Sequence, residues 1–114
     1  MDASVLNRDD LAHDAISVEF KGYRYTGAPV CFIWVDAPPG AGPRLHRHPY
    51  AEILIVLEGH VTFTVGGQTL ECAAGQTVIV PPNTPHAFRN SGSAPLRQVD
   101  IHASERFITE WLED

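Results

Sequence analysis

Between Pro38 and Pro95 the chain is broken every few residues by glycine or proline: Pro38-Pro39-Gly40, Gly42-Pro43, Pro49, Gly59, Gly66-Gly67, Gly75, Pro81-Pro82, Pro85, Gly92 and Pro95. Proline blocks a helix interior, and glycine disfavours one on entropic grounds. The intervening stretches are too short for stable helices but have the length of ordinary strands. Those stretches are apolar, so the chain is predicted to be all-β, with many short strands joined by tight turns.

Alternation of β-branched and aromatic residues with polar ones places strands at Ile16 to Phe20, Tyr23 to Thr26 and Pro29 to Val35. Further strands are expected at Arg44 to His48, Ala51 to Leu57, His60 to Val65, Gln68 to Cys72, Thr77 to Val80, Pro85 to Asn90 and Leu96 to His102. Glu58-Gly59 and Gly66-Gly67 suit two-residue hairpin turns, which implies antiparallel neighbours. Residues 1–15 are polar and are expected to form a loosely ordered lead-in, with 16–114 as a single domain. Near the C-terminus, Phe107, Ile108, Trp111 and Leu112 are spaced for one face of a helix, with Ser104 available as its N-cap. A short C-terminal helix is therefore expected.

The net charge of −6 would repel a phosphate backbone or an anionic membrane surface, so neither nucleic acid nor membrane is an expected partner. The opening MDASVLNRDDLAHD lacks the pattern of a secretory leader, and no apolar stretch has the length of a membrane span. The expected location is cytoplasmic. Cys31 and Cys72 form no spaced motif and read as small hydrophobes.

In a strand, residues two apart share a face, so His46 and His48 project together about 6.5 Å apart. Glu52 keeps that parity, although Pro49 intervenes. It opens the run Glu-Ile-Leu-Ile-Val-Leu, where a carboxylate is costly unless a cation or hydrogen-bond donors meet it. His86 follows the turn Pro81-Pro82-Asn83, and a hairpin or two would return it to the same place. Three neutral imidazoles and one carboxylate suit a divalent transition metal, whether iron, manganese, nickel, zinc, cobalt or copper. His46, His48, Glu52 and His86 are the candidate ligands, and Glu52 is also a candidate catalytic base.

Gly40, His46, His48, Glu52 and Gly59 match G-x5-H-x-H-x3-E-x6-G at every fixed position. Gly75, Pro81, His86 and Asn90 fit G-x5-P-x-G-x2-H-x3-N, with Asn83 standing where the pattern has glycine. In these two motifs the chain resembles the cupin superfamily. The resemblance implies a small single-domain antiparallel β-barrel of the jelly-roll, or double-stranded β-helix, type, with the family's metal ligands falling on His46, His48, Glu52 and His86. Asn tolerates the left-handed conformation, so the turn at Asn83 is expected to survive. The resemblance does not carry an activity, because similar barrels include oxygenases, isomerases, decarboxylases, sugar-binding modules and storage proteins.

Around that centre, Arg44 shares the facing of His46 in a regular strand and is a candidate clamp for a substrate carboxylate or phosphate. Phe32, Trp34, Phe63 and Phe88 are candidates for pocket lining, with plain core the commoner role of such aromatics and Phe88 kept as a possible substrate contact. Gln98, Asp100 and His102 alternate with Val99 and Ile101; that polar face is expected toward solvent, with Gln98 a substrate contact if it faces the cavity instead. The unbroken run Ile53 to Leu57 requires cover on both faces of its strand, and a homodimer would supply the outer one. The expected function is metal-dependent conversion of a small organic molecule, an oxygenase slightly ahead of an isomerase or lyase. The alternative is a binding or sensing module for a sugar or aromatic acid.

Overall fold

The computed structural model describes residues 3–25 and 27–113. Met1, Asp2, Thr26 and Asp114 lie outside it, and with them the ends of the expected lead-in, of the strand Tyr23 to Thr26 and of the domain. Eleven strands follow in chain order: β1 (Ala12–His13), β2 (Ser17–Lys21), β3 (Cys31–Ala37), β4 (His46–Arg47), β5 (Glu52–Glu58), β6 (His60–Val65), β7 (Gln68–Ala73), β8 (Thr77–Val80), β9 (His86–Asn90), β10 (Leu96–His102) and β11 (Glu110–Trp111). They form a six-stranded sheet in the order β1-β2-β3-β10-β5-β8 and a five-stranded sheet in the order β11-β4-β9-β6-β7, with every ladder antiparallel. This is the all-β, cupin-like jelly roll expected from the two motifs.

The inner faces carry the alternate residues of each strand. Leu54 and Val56 of β5, Val61 and Phe63 of β6, Val78 and Val80 of β8, and Leu96 of β10 pack into one apolar core between the sheets, with Val80 opposite Glu52 at its upper limit. Phe63 and Phe88 meet there with ring centroids 5.8 Å apart, so both aromatics belong to the core. The hairpin between β5 and β6 turns on Gly59, whose φ of 94° and close approach to the Pro95 carbonyl exclude a side chain. Asn83 sits at φ 62°, as expected of an asparagine in a glycine position. Its N–H donates to the His48 carbonyl at 2.7 Å, which ties that turn to the segment after β4.

Two expected elements differ. No strand covers Tyr23: Gly22–Arg24 is a 3₁₀ turn closed by Tyr25 N–H on the Gly22 carbonyl, and Tyr23 N–H reaches the Glu105 carbonyl. The expected C-terminal helix is also absent. After the Ser104 bend the chain runs extended, and β11 pairs with β4, Glu110 opposite Arg47 and Trp111 opposite His46. A short helix with few internal bonds is marginal, whereas the free edge of β4 offers ladder bonds and the Arg47–Glu110 pair at 2.9 and 3.1 Å. Phe107 and Ile108 therefore part, one half-buried and the other half-exposed, instead of sharing a face.

Outside the six-stranded sheet, Trp34, Ile53, Leu57 and Ile79 are 37, 38, 47 and 67 % exposed. Phe32 and Trp34 point to this outer side rather than into the pocket, stacked edge to face on one another. Among the described residues no α-helix covers that surface, where only the 3₁₀ turn Arg8–Asp10 lies beside Trp34 and Leu57, and no helix is long and apolar enough to cross a membrane.

The Asn90 side chain is buried; it donates to the carbonyls of Ala37 and Ala94, both at 2.9 Å, and accepts from Gly92 N–H. Asn90→Ala leaves these groups without partners and is expected to cost about 1–3 kcal/mol for each that stays buried. Urea denaturation should read this as a lower midpoint with an unchanged slope.

Candidate metal centre

Two cross-strand pairs build the site. In the five-stranded sheet His46 of β4 stands directly opposite His86 of β9. In the six-stranded sheet Glu52 of β5 stands opposite His102 of β10. The segment Pro49–Tyr50 carries the chain from one sheet to the other, and His48 just before it projects between the two pairs. All five side chains are buried, with exposures of 7 % or less.

Each of the three histidines named by the motifs gives its Nδ1 to a backbone carbonyl. His46 donates to Arg44 at 2.6 Å, His48 to Ile108 at 2.8 Å and His86 to Thr84 at 2.9 Å. A neutral imidazole so held turns its Nε2 lone pair to the other side. The lone pairs of His48 and His86 meet Glu52 Oε1, at 3.2 and 3.0 Å from their Nε2 atoms, and the donor atom of His46 lies within 4.8 Å of the group. His48 Nε2 has no hydrogen-bond partner in this arrangement. A lone pair facing a carboxylate oxygen needs a positive charge between them, either a second proton on a ring or a cation.

The donor atoms of His46, His48, Glu52 and His86 lie within 4.8 Å of one another. Ligands on opposite sides of one transition-metal ion are about 4.2 Å apart, so the cluster closes on an ion with shifts of a few tenths of an ångström. Its donor set suits a borderline divalent cation.

Burial pulls the His46 ring down to about 4, against the Arg44 carbonyl and in concert with neighbouring His86 and His48, so it is neutral at pH 7 and free to ligate. Burial would raise the Glu52 carboxyl, but in the absence of a cation the surrounding His102, His48 and His86 rings, acting as proton donors toward it, outweigh burial and hold it below the ordinary carboxylate range. Burial also opposes protonation of His86, yet the Glu52 carboxylate and the Thr84 carbonyl leave it above the ordinary value. A deprotonated Glu52 and a neutral His46 are in the ionisation state a metal requires, whereas His86 would give up a second proton to an incoming cation.

Gln98, Asp100 and His102 face the barrel interior and are at most 3 % exposed, which corrects the expectation that they face solvent. β10 lies between β3 and β5, and the polar alternation follows its inner side. Gln98 Nε2 donates to Asp100 Oδ1 at 2.7 Å, while its Oε1 is buried without a partner. His102 Nε2 is 3.2 Å from Glu52 Oε2. Its Nδ1 is 2.7 Å from the Tyr50 hydroxyl, and Tyr50 stacks on His48 with centroids 5.1 Å apart. Burial pushes the Tyr50 phenol up to about 12, so it keeps its proton.

A cavity of about 360 Å³ opens onto the cluster. Phe88 lines it, as does Arg44 at its mouth; Gln98 is not among its walls. The Arg44 guanidinium lies 4.8 Å from the Trp111 ring centroid and donates to the Glu113 carbonyl at 3.3 Å. Asp100 adds a buried carboxylate to the wall, and exposed Asp14 and half-buried Glu19 add two more toward solvent. In the sequence Tyr50 lies between the candidate ligands with its direction unreadable beside Pro49, and Asp100 and His102 stand on a polar face expected toward solvent. The parity of the β10 residues was the available signal, but it could not tell inside from outside.

A closed antiparallel barrel with three imidazoles and one carboxylate meeting at its mouth defines a class of barrel proteins with a candidate metal centre. The chain belongs to the cupin-domain family, whose family model matches residues 33–102. It is 34% identical over 74 residues to an uncharacterised protein of Methanocaldococcus jannaschii, covering 64% of this chain and 59% of that protein. It is 29% identical over 108 residues to the HTH-type transcriptional regulator PuuR of Escherichia coli, covering 90% of this chain and 58% of the regulator. The chain thus spans less than two thirds of the length of either relative. Among solved structures, one concerned with the Mn(II) centers of Bacillus subtilis oxalate decarboxylase superposes with a TM-score of 0.78 at 23% identity, covering 88% of this chain and 29% of that one. That likeness is one of fold.

Burial, with the Glu52 charge adding to it, raises the Asp100 carboxyl well above its ordinary 3.8, and the Gln98 hydrogen bond offsets only part of this. The native state therefore holds this proton over a pH range in which the unfolded chain releases it. Its stabilising effect is full below the ordinary value and is lost as pH rises through the raised one. Asp100→Asn removes that dependence. In chelator, thermal melts of parent and variant should diverge in the variant's favour as pH rises from the ordinary carboxylate range toward neutrality.

Proposed function

We propose that this chain is a metal-dependent enzyme acting on a small polar organic molecule, with one divalent transition ion on His46, His48, Glu52 and His86. The observation that carries this is the grouping of three Nδ1-anchored imidazoles and one buried carboxylate, their donor atoms within 4.8 Å of one another, beside a cavity of about 360 Å³. Storage or scaffolding requires no such convergence. A cation held by four protein donors keeps open positions when octahedral, and there it supplies Lewis-acid or redox chemistry.

The chain's own residues would do the rest. Arg44, the one arginine or lysine on the cavity wall, suits a carboxylate or phosphate on the substrate, and Asp100 suits a hydroxyl or amine deeper in. Glu52 is the proton carrier nearest the reacting position, because its two oxygens face different partners. Oxygenase chemistry remains our first choice, since three imidazoles and a carboxylate suit iron; decarboxylation or isomerisation needs the same site. Manganese is the second ion to test, by analogy with the Mn(II) centers of the oxalate decarboxylase.

The alternative is a ligand-sensing barrel, and the likeness to PuuR over 90% of this chain favours it among non-catalytic roles. Two free thiols, Cys31 buried and Cys72 half-buried, are in keeping with a reducing, cytoplasmic setting. A second copy of the chain is the proposed cover for the outer face of Trp34, Ile53, Leu57 and Ile79, since a self-complementary apolar sheet face suits an isologous dimer.

Loading with iron(II) or manganese(II) and screening small hydroxy and amino acids for oxygen uptake, carbon dioxide release and thermal shift is the direct test. The parent is expected to bind close to one ion per chain and to turn over a member of the panel, while His86→Ala loses both. Tight ligand binding with no turnover under either metal would favour the sensor. For the assembly, sedimentation at micromolar concentration is expected to show a dimer for the parent and a monomer for Ile79→Glu; a monomeric parent would refute it.

A further inference from the structure

The fourth buried histidine differs from the other three in what its Nδ1 touches. His46, His48 and His86 each place Nδ1 on a carbonyl, which can only accept. His102 places Nδ1 at 2.7 Å from the hydroxyl of Tyr50, which can donate. That hydroxyl oxygen already accepts from Ile108 N–H at 3.3 Å and lies 3.4 Å from His48 Nδ1, whose proton is turned to the Ile108 carbonyl. Because the His48 Nδ1 proton is engaged, only His102 Nδ1 among these neighbours can accept the phenol proton, and Tyr50 donates there. The His102 proton then sits on Nε2, 3.2 Å from Glu52 Oε2, where a small tilt of the ring completes a hydrogen bond that the present angle does not make.

We propose that His102, its tautomer set by Tyr50, is a positioning residue that donates from Nε2 to Glu52 Oε2, so that only Oε1 is presented to the metal and His102 itself does not ligate. This rests on the assignment of His46, His48, Glu52 and His86 as ligands, but the tautomer of His102 follows from its hydrogen bonds alone. Donation to Oε2 keeps Glu52 from chelating with both oxygens and so leaves a position open toward the cavity. The device is continuous: Tyr50 stacks on His48, Phe107 packs edge-on against His102 with centroids 4.9 Å apart, and the Ile108 backbone holds both His48 and Tyr50. One short segment of the C-terminal chain thereby sets the orientation of one candidate ligand, His48, and of the Tyr50–His102 pair behind another, Glu52.

The test is long-range proton–nitrogen correlation on zinc-loaded protein labelled with nitrogen-15 at histidine, which reads the protonated nitrogen of each ring. The expected pattern is protons on Nδ1 of His46, His48 and His86 and on Nε2 of His102, with redistribution at His102 in Tyr50→Phe. His102→Leu should weaken zinc binding about 10- to 100-fold, the usual cost of losing a partner behind a ligand. His102→Gln, whose amide can still donate to Oε2, should recover most of the loss.

A proton on Nδ1 of His102 with zinc on its Nε2 would overturn the proposal and make His102 a fifth ligand. Unchanged zinc affinity in His102→Leu would overturn it as well. If His102→Leu fails to fold, the parent and Tyr50→Phe spectra decide the matter, since neither removes a buried ring. If the protein takes no zinc at all, the metal-centre assignment fails, while the same tautomer at His102 can still be confirmed or refuted in the metal-free protein.

Discussion

A carboxylate 3 % exposed at the head of an apolar strand has to be met by positive charge or by hydrogen-bond donors, and the upper half of this barrel is arranged around that demand of Glu52. His86 and His48 meet one oxygen and His102 the other, from both sheets. The register of β4 on β9 and of β5 on β10, the crossing at Pro49–Tyr50 and the docking of the C-terminal segment on His48 all serve the same convergence. A slip of one residue in either ladder would turn a ligand to the outside.

The two ends of the barrel divide the physical tasks. Val56, Val61, Phe63 and Leu96 close-pack the lower end, where apolar burial holds the sheets together. Imidazoles, carboxylates and a cavity occupy the upper end, where burial is a cost until charges are matched. The polar end is therefore the natural place for ligand binding to feed back on stability, because an ion that neutralises Glu52 also relieves the repulsion felt by Asp100. Within one fold this separation lets cavity walls change while the packed end is kept, in line with a close superposition on oxalate decarboxylase at only 23% identity.

The C-terminal segment is the least regular part of the chain and has the largest influence on the site. It supplies the carbonyl that orients His48, the N–H that engages Tyr50, the Phe107 edge against His102 and the Trp111 ring beside Arg44. It binds by adding a two-residue strand to the edge of β4, with Leu112 N–H on the Leu45 carbonyl beyond it. Backbone pairing of this kind suits a strap, since it tolerates variation in side chains while fixing where the chain runs.

Local chemistry sufficed for much of this. Period-two alternation and turn residues marked β6, β8 and β10 to the residue, and the spacing of His46, His48, Glu52 and His86 carried the candidate ligands, because a strand's facing and a turn's backbone angles depend on a few neighbouring residues. Other features needed the assembled barrel. Phe107 to Leu112 satisfies a helical period and an extended chain alike until the free edge of β4 is present to choose between them. Gln98, Asp100 and His102 alternate in the same way whether they face solvent or cavity, and what lies across the barrel decides it. Tyr50 found its partner 52 residues away on β10. The sequence alone determined which residues alternate and where the chain turns; only tertiary structure decided which side was inside, because burial depends on the whole closed sheet and not on any stretch of it.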